Sequence, residues 1–385
     1  METNAQSFPV GYHSFHREKV INFQLNRWYS LGLLPFGEVK SAGEEITGYE
    51  DWKSVLAGYA ERALRENRLL DAAFFFRAAQ FFALKEDPDN DRLYLRFLEV
   101  FEEAVAGQGF ERHDVPYDGA ILPTVRLSAG TPTPIGTVVM HGGFDSFIEE
   151  FYSMMLWFSH QVYDIIVFDG PGQGNAQRTH GLVFDCQWEK PVRAVLDHFH
   201  LEEITLIGLS MGGYLCLRAA AFEPRIRRVI ASSVPFDYSQ FTNAIGQMLM
   251  KLFFTRLTGF TNRQARKRMA KDGFYNWYMS SVMHITGKET PVEALYQVLE
   301  MNEKNLHSPD IVQDVLLLTG KRDHTVSFKM HGKQIRALTN ARSVAGRVFT
   351  AEDHADMHCQ VGNVGLALQT MHEWIGLHPG QDAIS

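Results

Sequence analysis

Ser210 stands at the centre of Gly208-Leu209-Ser210-Met211-Gly212, a G-x-S-x-G sequence. That pattern is common in a chain with 31 glycines, so its flanks decide what it means. The apolar, β-branched run Ile204-Thr205-Leu206-Ile207 enters it, and Tyr214 to Ala221, a good helix former, leaves it. Strand, tight turn and helix are what a nucleophile elbow requires: a strained turn lifts the serine hydroxyl clear of the sheet. Side chains two residues before and after the serine would collide, so Gly208 and Gly212 are expected to be sterically required. Gly213 lets the helix start close by.

A serine hydroxyl is a poor nucleophile until a neutral imidazole, oriented by a carboxylate, takes its proton. Behind an elbow of this kind the carboxylate follows a later strand and the histidine precedes the last helix. Asp323 lies just past the buried run Val315-Leu316-Leu317-Leu318 and is the carboxylate candidate. Two histidines precede the final helical pattern, and position alone does not choose between them. His358, flanked by Met357 and Cys359, points inward on this reading; His354, among acidic neighbours, looks exposed. Attack on a carbonyl also creates an oxyanion that needs preorganised donors. His141-Gly142-Gly143-Phe144 follows the first buried strand, so the backbone N–H groups of Gly143 and Met211 are the expected donors, with Phe144 beside them.

The elements that must position these groups alternate in period. From Arg17 to Ala106 the apolar spacing is helical, and the stretch Leu69–Lys85, with Phe74, Phe75 and Phe76, is apolar nearly all round. Such a helix needs a second surface to cover, and a roof over the site is one candidate. Phe110–Pro116 and Ala120–Leu127 read as a hairpin, and from Pro134 strands and helices alternate, which implies a mostly parallel sheet with helices on both faces. Between Val234 and Ile311 the strands stop. Helical patterns rich in Met and aromatics fill the gap, an insertion above the carboxyl edge of the sheet, where ligands bind in open α/β folds. Its basic run Arg263-Gln264-Ala265-Arg266-Lys267-Arg268 is read as a solvated helix face. The expected division is a helical domain over 1–109, an α/β domain over 110–235 and 311–385, and a helical lid over 236–310.

Composition bounds the rest. With 45% hydrophobic and 21% charged residues the 385-residue chain can bury a large core. A net charge of −8 argues against nucleic acid as a partner, and no apolar run approaches a membrane span, so no membrane partner is expected. Three widely spaced cysteines, Cys186, Cys216 and Cys359, suggest reduced thiols and a cytoplasmic chain. The composition is compatible with a homodimer. Phe168-Asp169-Gly170-Pro171-Gly172-Gln173-Gly174 lacks the Lys-Ser/Thr of a phosphate loop, and Pro171 removes a donor such a loop would use; it is read as a structural turn. No Cys/His spacing resembles a zinc site, so neither metal nor cofactor is expected.

Elbow, oxyanion glycines and triad order together resemble the α/β-hydrolases over about residues 110–379. Helical N-terminal domain and helical lid are most similar to the subgroup of 2,6-dihydroxypseudooxynicotine hydrolase, a carbon–carbon bond hydrolase, with fungal polyketide-pathway hydrolases and FrsA-type esterases alike in layout. In that subgroup a cysteine follows the catalytic histidine, which matches His358-Cys359 and selects His358 over His354. The resemblance further implies a substrate-binding carboxylate near the lid, for which Asp237, next to Tyr238, is the match. The implied activity is hydrolysis of a small, mid-sized hydrophobic or aromatic carbonyl compound by attack of Ser210, with cleavage of a C–C bond or an ester. Acyl transfer or cyclisation is the neighbouring possibility, and a binding protein without turnover is the alternative of a different class.

Overall fold

In a computed structural model the described residues are 7–242 and 244–378; the ends of the expected helical domain (1–6) and of the second α/β segment (379–385), and position 243 in the lid, lie outside them. Five helices come first: α1 (Lys19–Ser30), α2 (Phe36–Glu45), α3 (Tyr49–Arg65), α4 (Leu69–Gln80) and α5 (Pro88–Val105). Their ends are chemically marked. Glu18 caps α1 by accepting from the N–H groups of Val20 and Ile21, and Asp87 caps α5, with Pro88 in its first turn. α4 keeps no solvent-facing side over Ala72–Gln80, all of which are buried, because α3 and α5 cover it from two sides. The Trp52 indole of α3 donates to the Ala78 carbonyl over 2.7 Å and fixes the register of that contact.

The sheet holds β1 (Phe110–Tyr117), β2 (Ala120–Leu127), β3 (Gly136–His141), β4 (Tyr163–Phe168), β5 (Ile204–Leu209), β6 (Ile226–Ser232), β7 (Asp314–Gly320) and β8 (Ser343–Phe349). These eight strands lie in the order β1-β2-β4-β3-β5-β6-β7-β8. β1 and β2 form an antiparallel hairpin, β2 joins β4 antiparallel, and every later pairing is parallel. Strand side chains alternate between faces, so each strand feeds two cores. Val138, Met140, Ile207, Ile230 and Leu316 face one core, which also contains helices α1–α5 and the last helix, Val364–Leu377. Val139, Leu206, Val229, Val315 and Leu317 face the other, with helices Glu189–His198 and Met211–Ala220 and part of the lid. The first helices and the sheet therefore share one continuous apolar interior.

The segment between β6 and β7 carries four longer helices, Ala244–Thr255, Thr258–Met269, Gly273–Thr286 and Pro291–Val298. Trp277 pins this lid to the N-terminal helices by donating its indole N–H to the Phe81 carbonyl over 2.7 Å. None of the described helices is long and apolar enough to cross a membrane.

Candidate active site

Four strand ends supply the site, all at the carboxyl edge of the parallel strands, where backbone N–H groups and helix starts converge. Ser210 follows β5 and takes φ 60°, ψ −124°, a conformation rarely open to a side chain. The turn is tight enough that a Cβ on Gly208 would fall 2.0 Å from the Gly212 carbonyl oxygen. The Ser210 N–H donates to the Ser232 carbonyl of β6 over 2.9 Å, which holds the strained turn against the sheet.

The Ser210 hydroxyl donates to His358 Nε2 over 2.8 Å, and His358 Nδ1–H donates to Asp323 Oδ2 over 2.8 Å. A carboxylate only accepts, which fixes the proton on Nδ1 and leaves Nε2 free to accept. Asp323 follows β7, and its Oδ1 also takes the N–H groups of Thr325 and Val326, each at 2.8 Å. Burial alone would raise the Asp323 carboxyl, yet the charge and hydrogen bond of His358 and the backbone donor hold it below its ordinary 3.8. Burial likewise works against the His358 imidazolium. The neighbouring sulfur of Cys359 and the Asp323 carboxylate oppose it and hold the pKa well above the usual 6.5.

His358 sits in a strained segment after β8. Cys359 and Gln360 both have positive φ, 49° and 56°. Two serines at the end of β6 and just beyond it hold them: Ser233 Oγ accepts from the Cys359 N–H at 2.9 Å, and Ser232 Oγ donates to Gln360 Oε1 at 2.7 Å. His354, the other histidine considered, is exposed at the end of a short turn and does not line the cavity.

Gly143 packs against the elbow: a Cβ there would meet Ser210 Cβ at 3.0 Å and Met211 N at 3.1 Å. Among the described residues neither the Gly143 nor the Met211 N–H donates a hydrogen bond within the chain, so both are available to a ligand. Gln173, in the turn after β4, holds this glycine loop; its amide donates to the carbonyls of Gly142 and Gly143 at 2.7 and 3.0 Å. A glutamine inside a glycine-rich turn carries no sequence signal for such a role.

These groups open into a cavity of about 720 Å³. Its walls are mainly apolar: Val20 and Phe23 from α1, Leu31 just after it, and Phe274, Trp277 and Tyr278 from the lid. Phe144 and Tyr238 also line it. The roof is α1, not the Phe-rich α4, whose aromatic face is used up between α3 and α5. Asp237 requires a correction. Its carboxylate is buried and accepts from Ser239 N–H, Ser239 Oγ, the Gln240 amide and Glu303 N–H, so it caps a turn and does not face the cavity. His324, which sequence reasoning passed over, does face it, with its ring edge-on to Phe23 at 4.5 Å and 6.2 Å from His358 between centroids. Burial keeps His324 below the ordinary histidine pKa.

Charged groups line one wall. Arg27 of α1 pairs with Asp145 at 3.0 Å and with Glu150, and Arg77 of α4 reaches Glu150 at 2.7 Å and the Asp145 carbonyl at 2.7 Å. This buried network ties the glycine loop after β3 to the first helices. Among the described residues no cluster of His, Cys, Asp and Glu could hold a metal ion.

Residues 137–273 match the family described as alpha/beta hydrolase fold. The chain has the α/β-hydrolase fold. This chain is 29% identical to the alpha/beta hydrolase psoB of Aspergillus fumigatus over 94% of both chains. It is 30% identical to the 2,6-dihydropseudooxynicotine hydrolase of Paenarthrobacter nicotinovorans over 49% of this chain and 55% of that one. Among solved structures, 2,6-dihydroxy-pseudo-oxynicotine hydrolase superposes with a TM-score of 0.67 at 22% identity, over 91% of this chain and 94% of the other, a likeness of fold.

Proposed function

We propose that Ser210, His358 and Asp323 act as nucleophile, general base and orienting acid in the hydrolysis of an activated carbonyl compound of mid-sized hydrophobic or aromatic type. The observation that carries this reading is the unbroken line of hydrogen bonds from Asp323 through His358 to Ser210, opening into a large, mainly apolar cavity.

On this reading Ser210 Oγ attacks the carbonyl carbon while His358 Nε2 takes its proton. The N–H groups of Gly143 and Met211 receive the oxyanion. Collapse breaks the bond to the leaving group, which takes the proton from the imidazolium and departs; water then attacks the acyl-serine by the same route and releases a carboxylic acid. An ester expels an alkoxide. A β-diketone expels a carbanion, tolerable because the second carbonyl delocalises it as an enolate. The raised pKa of His358 suits the second case, because a persistent imidazolium is well placed to protonate a leaving carbon. The esterase reading draws its support from Asp237: with that carboxylate committed to a cap, the cavity loses the group assigned to diketone recognition.

Incubating the enzyme with aryl β-diketones and with aryl esters of matched size in ¹⁸O-water separates the two. Diketone cleavage yields a ketone and an acid carrying one ¹⁸O. Ester turnover with no diketone cleavage across the panel leaves the esterase reading, and inertness to both, with Ser210 unreactive, removes the proposal.

A further inference from the structure

The outer hairpin of the lid, residues 244–271, is unlike the rest of the surface. Its first helix exposes an apolar stripe at helical spacing, with Ile245 at 67%, Met248 at 65%, and Leu249 and Leu252 also out in solvent. Leu257 and Phe260 continue the exposed apolar surface into the next helix. An isolated exposed leucine means nothing, but adjoining large apolar side chains on one hairpin mark a contact surface. The same hairpin carries Lys251, Arg256, Arg263, Arg266, Lys267, Arg268 and Lys271 and no acidic residue, in a chain whose net charge is −8. Arg268 meets Asp272 at 3.5 Å; Lys251, Arg256, Arg263, Lys267 and Lys271 form no ion pair among the described residues.

We propose that this hairpin docks the enzyme on an anionic lipid surface. An apolar stripe flanked by unpaired cations is what a helix lying in a bilayer interface presents: apolar side chains enter the headgroup boundary and cations meet acidic headgroups. That none of the described helices is long and apolar enough to span a membrane does not bear on it, because surface docking needs no spanning helix. A second copy is a poorer occupant. A two-fold contact would set the patch against itself, cation against cation, with no acidic side chain on either hairpin to neutralise it. The location has a consequence for substrate entry: the following helix, Gly273–Thr286, supplies Phe274, Trp277 and Tyr278 to the cavity wall, so docking brings the cavity beside the lipid.

Vesicle co-sedimentation with the full chain tests this without reference to catalysis. The protein should pellet with phosphatidylcholine vesicles containing phosphatidylglycerol, much less with phosphatidylcholine alone, and less as salt rises. The pair Met248→Asp and Leu252→Asp, and separately Arg263→Gln with Lys267→Gln, should each lower partitioning by about tenfold or more while thermal unfolding is unchanged. The charge pair keeps the test valid if the aspartate pair misfolds. No binding to the anionic vesicles, or binding indifferent to both pairs, overturns the proposal. So does a dimer in sedimentation velocity without lipid that these substitutions split, which would assign the hairpin to a second copy.

Discussion

Arg77 Nε donates to Glu150 Oε1 over 2.8 Å across 73 residues of chain, and both side chains are almost wholly out of water. Arg77 belongs to α4, and Glu150 follows the glycine loop whose Gly143 lies against Ser210. The first helices are thereby joined to the glycine-loop side of the site by charge as well as by packing.

Removing one partner of such a buried pair leaves a charge uncompensated, which costs about 3–5 kcal/mol. Glu150→Met should therefore lower the unfolding midpoint sharply in a denaturant titration, because it leaves the buried Arg77 without a carboxylate, whereas Arg77→Met leaves Glu150 paired with Arg27. The double variant Arg77→Met, Glu150→Met should recover much of that loss, because Arg27 still has Asp145. Additive losses in the two single variants would show that the pair is not coupled.

Gln173 is a positioning residue for the glycine loop. Gln173→Leu removes both amide donors, and a loop displaced by about 1 Å can lose about 100-fold in rate. Steady-state kinetics should show the fall in kcat with KM little changed. A change confined to KM would place Gln173 in substrate binding.

The two histidines differ in what they touch. His358→Ala and Asp323→Asn should each lower kcat by about 10⁴, whereas His354→Ala should stay within about threefold of wild type. The reverse ranking of the histidines would move the base to His354.

The pKa directions fix a pH profile. His358 must be neutral to take the Ser210 proton, and its pKa is held above 6.5, so kcat/KM should rise with pH along a limb centred above 6.5. For stability the signs differ. The raised His358 contributes stability fully below 6.5, lost as pH rises through its folded value. The depressed Asp323 contributes above 3.8, lost as pH falls through its folded value. Unfolding midpoints against pH for wild type and His358→Ala should converge at alkaline pH; a constant gap would contradict the assignment.

Local signals made the elbow legible, because Gly208, Ser210 and Gly212 must meet within one turn and the flanking strand and helix are adjacent in sequence. The fold class followed from the same alternation of strand and helix. Partners set by tertiary contact were not legible. The family resemblance implies a substrate role for Asp237, but a short acidic side chain before a turn also serves as a cap, and Ser239 and Glu303 complete it. All-round apolarity gave α4 a second surface without saying which; α3 and α5 supply it, and α1 roofs the cavity. Arg27 and Arg77 carry no local signal for their buried role, which depends on Asp145 and Glu150 being brought beside them.

Whether Ser210 is the nucleophile is tested most directly by labelling the full-length enzyme with a fluorophosphonate and mapping the adduct by mass spectrometry. The phosphonyl group should lie on Ser210, with labelling abolished in Ser210→Ala and slowed by orders of magnitude in His358→Ala. An adduct on another residue, or undiminished labelling of Ser210→Ala, would contradict the account.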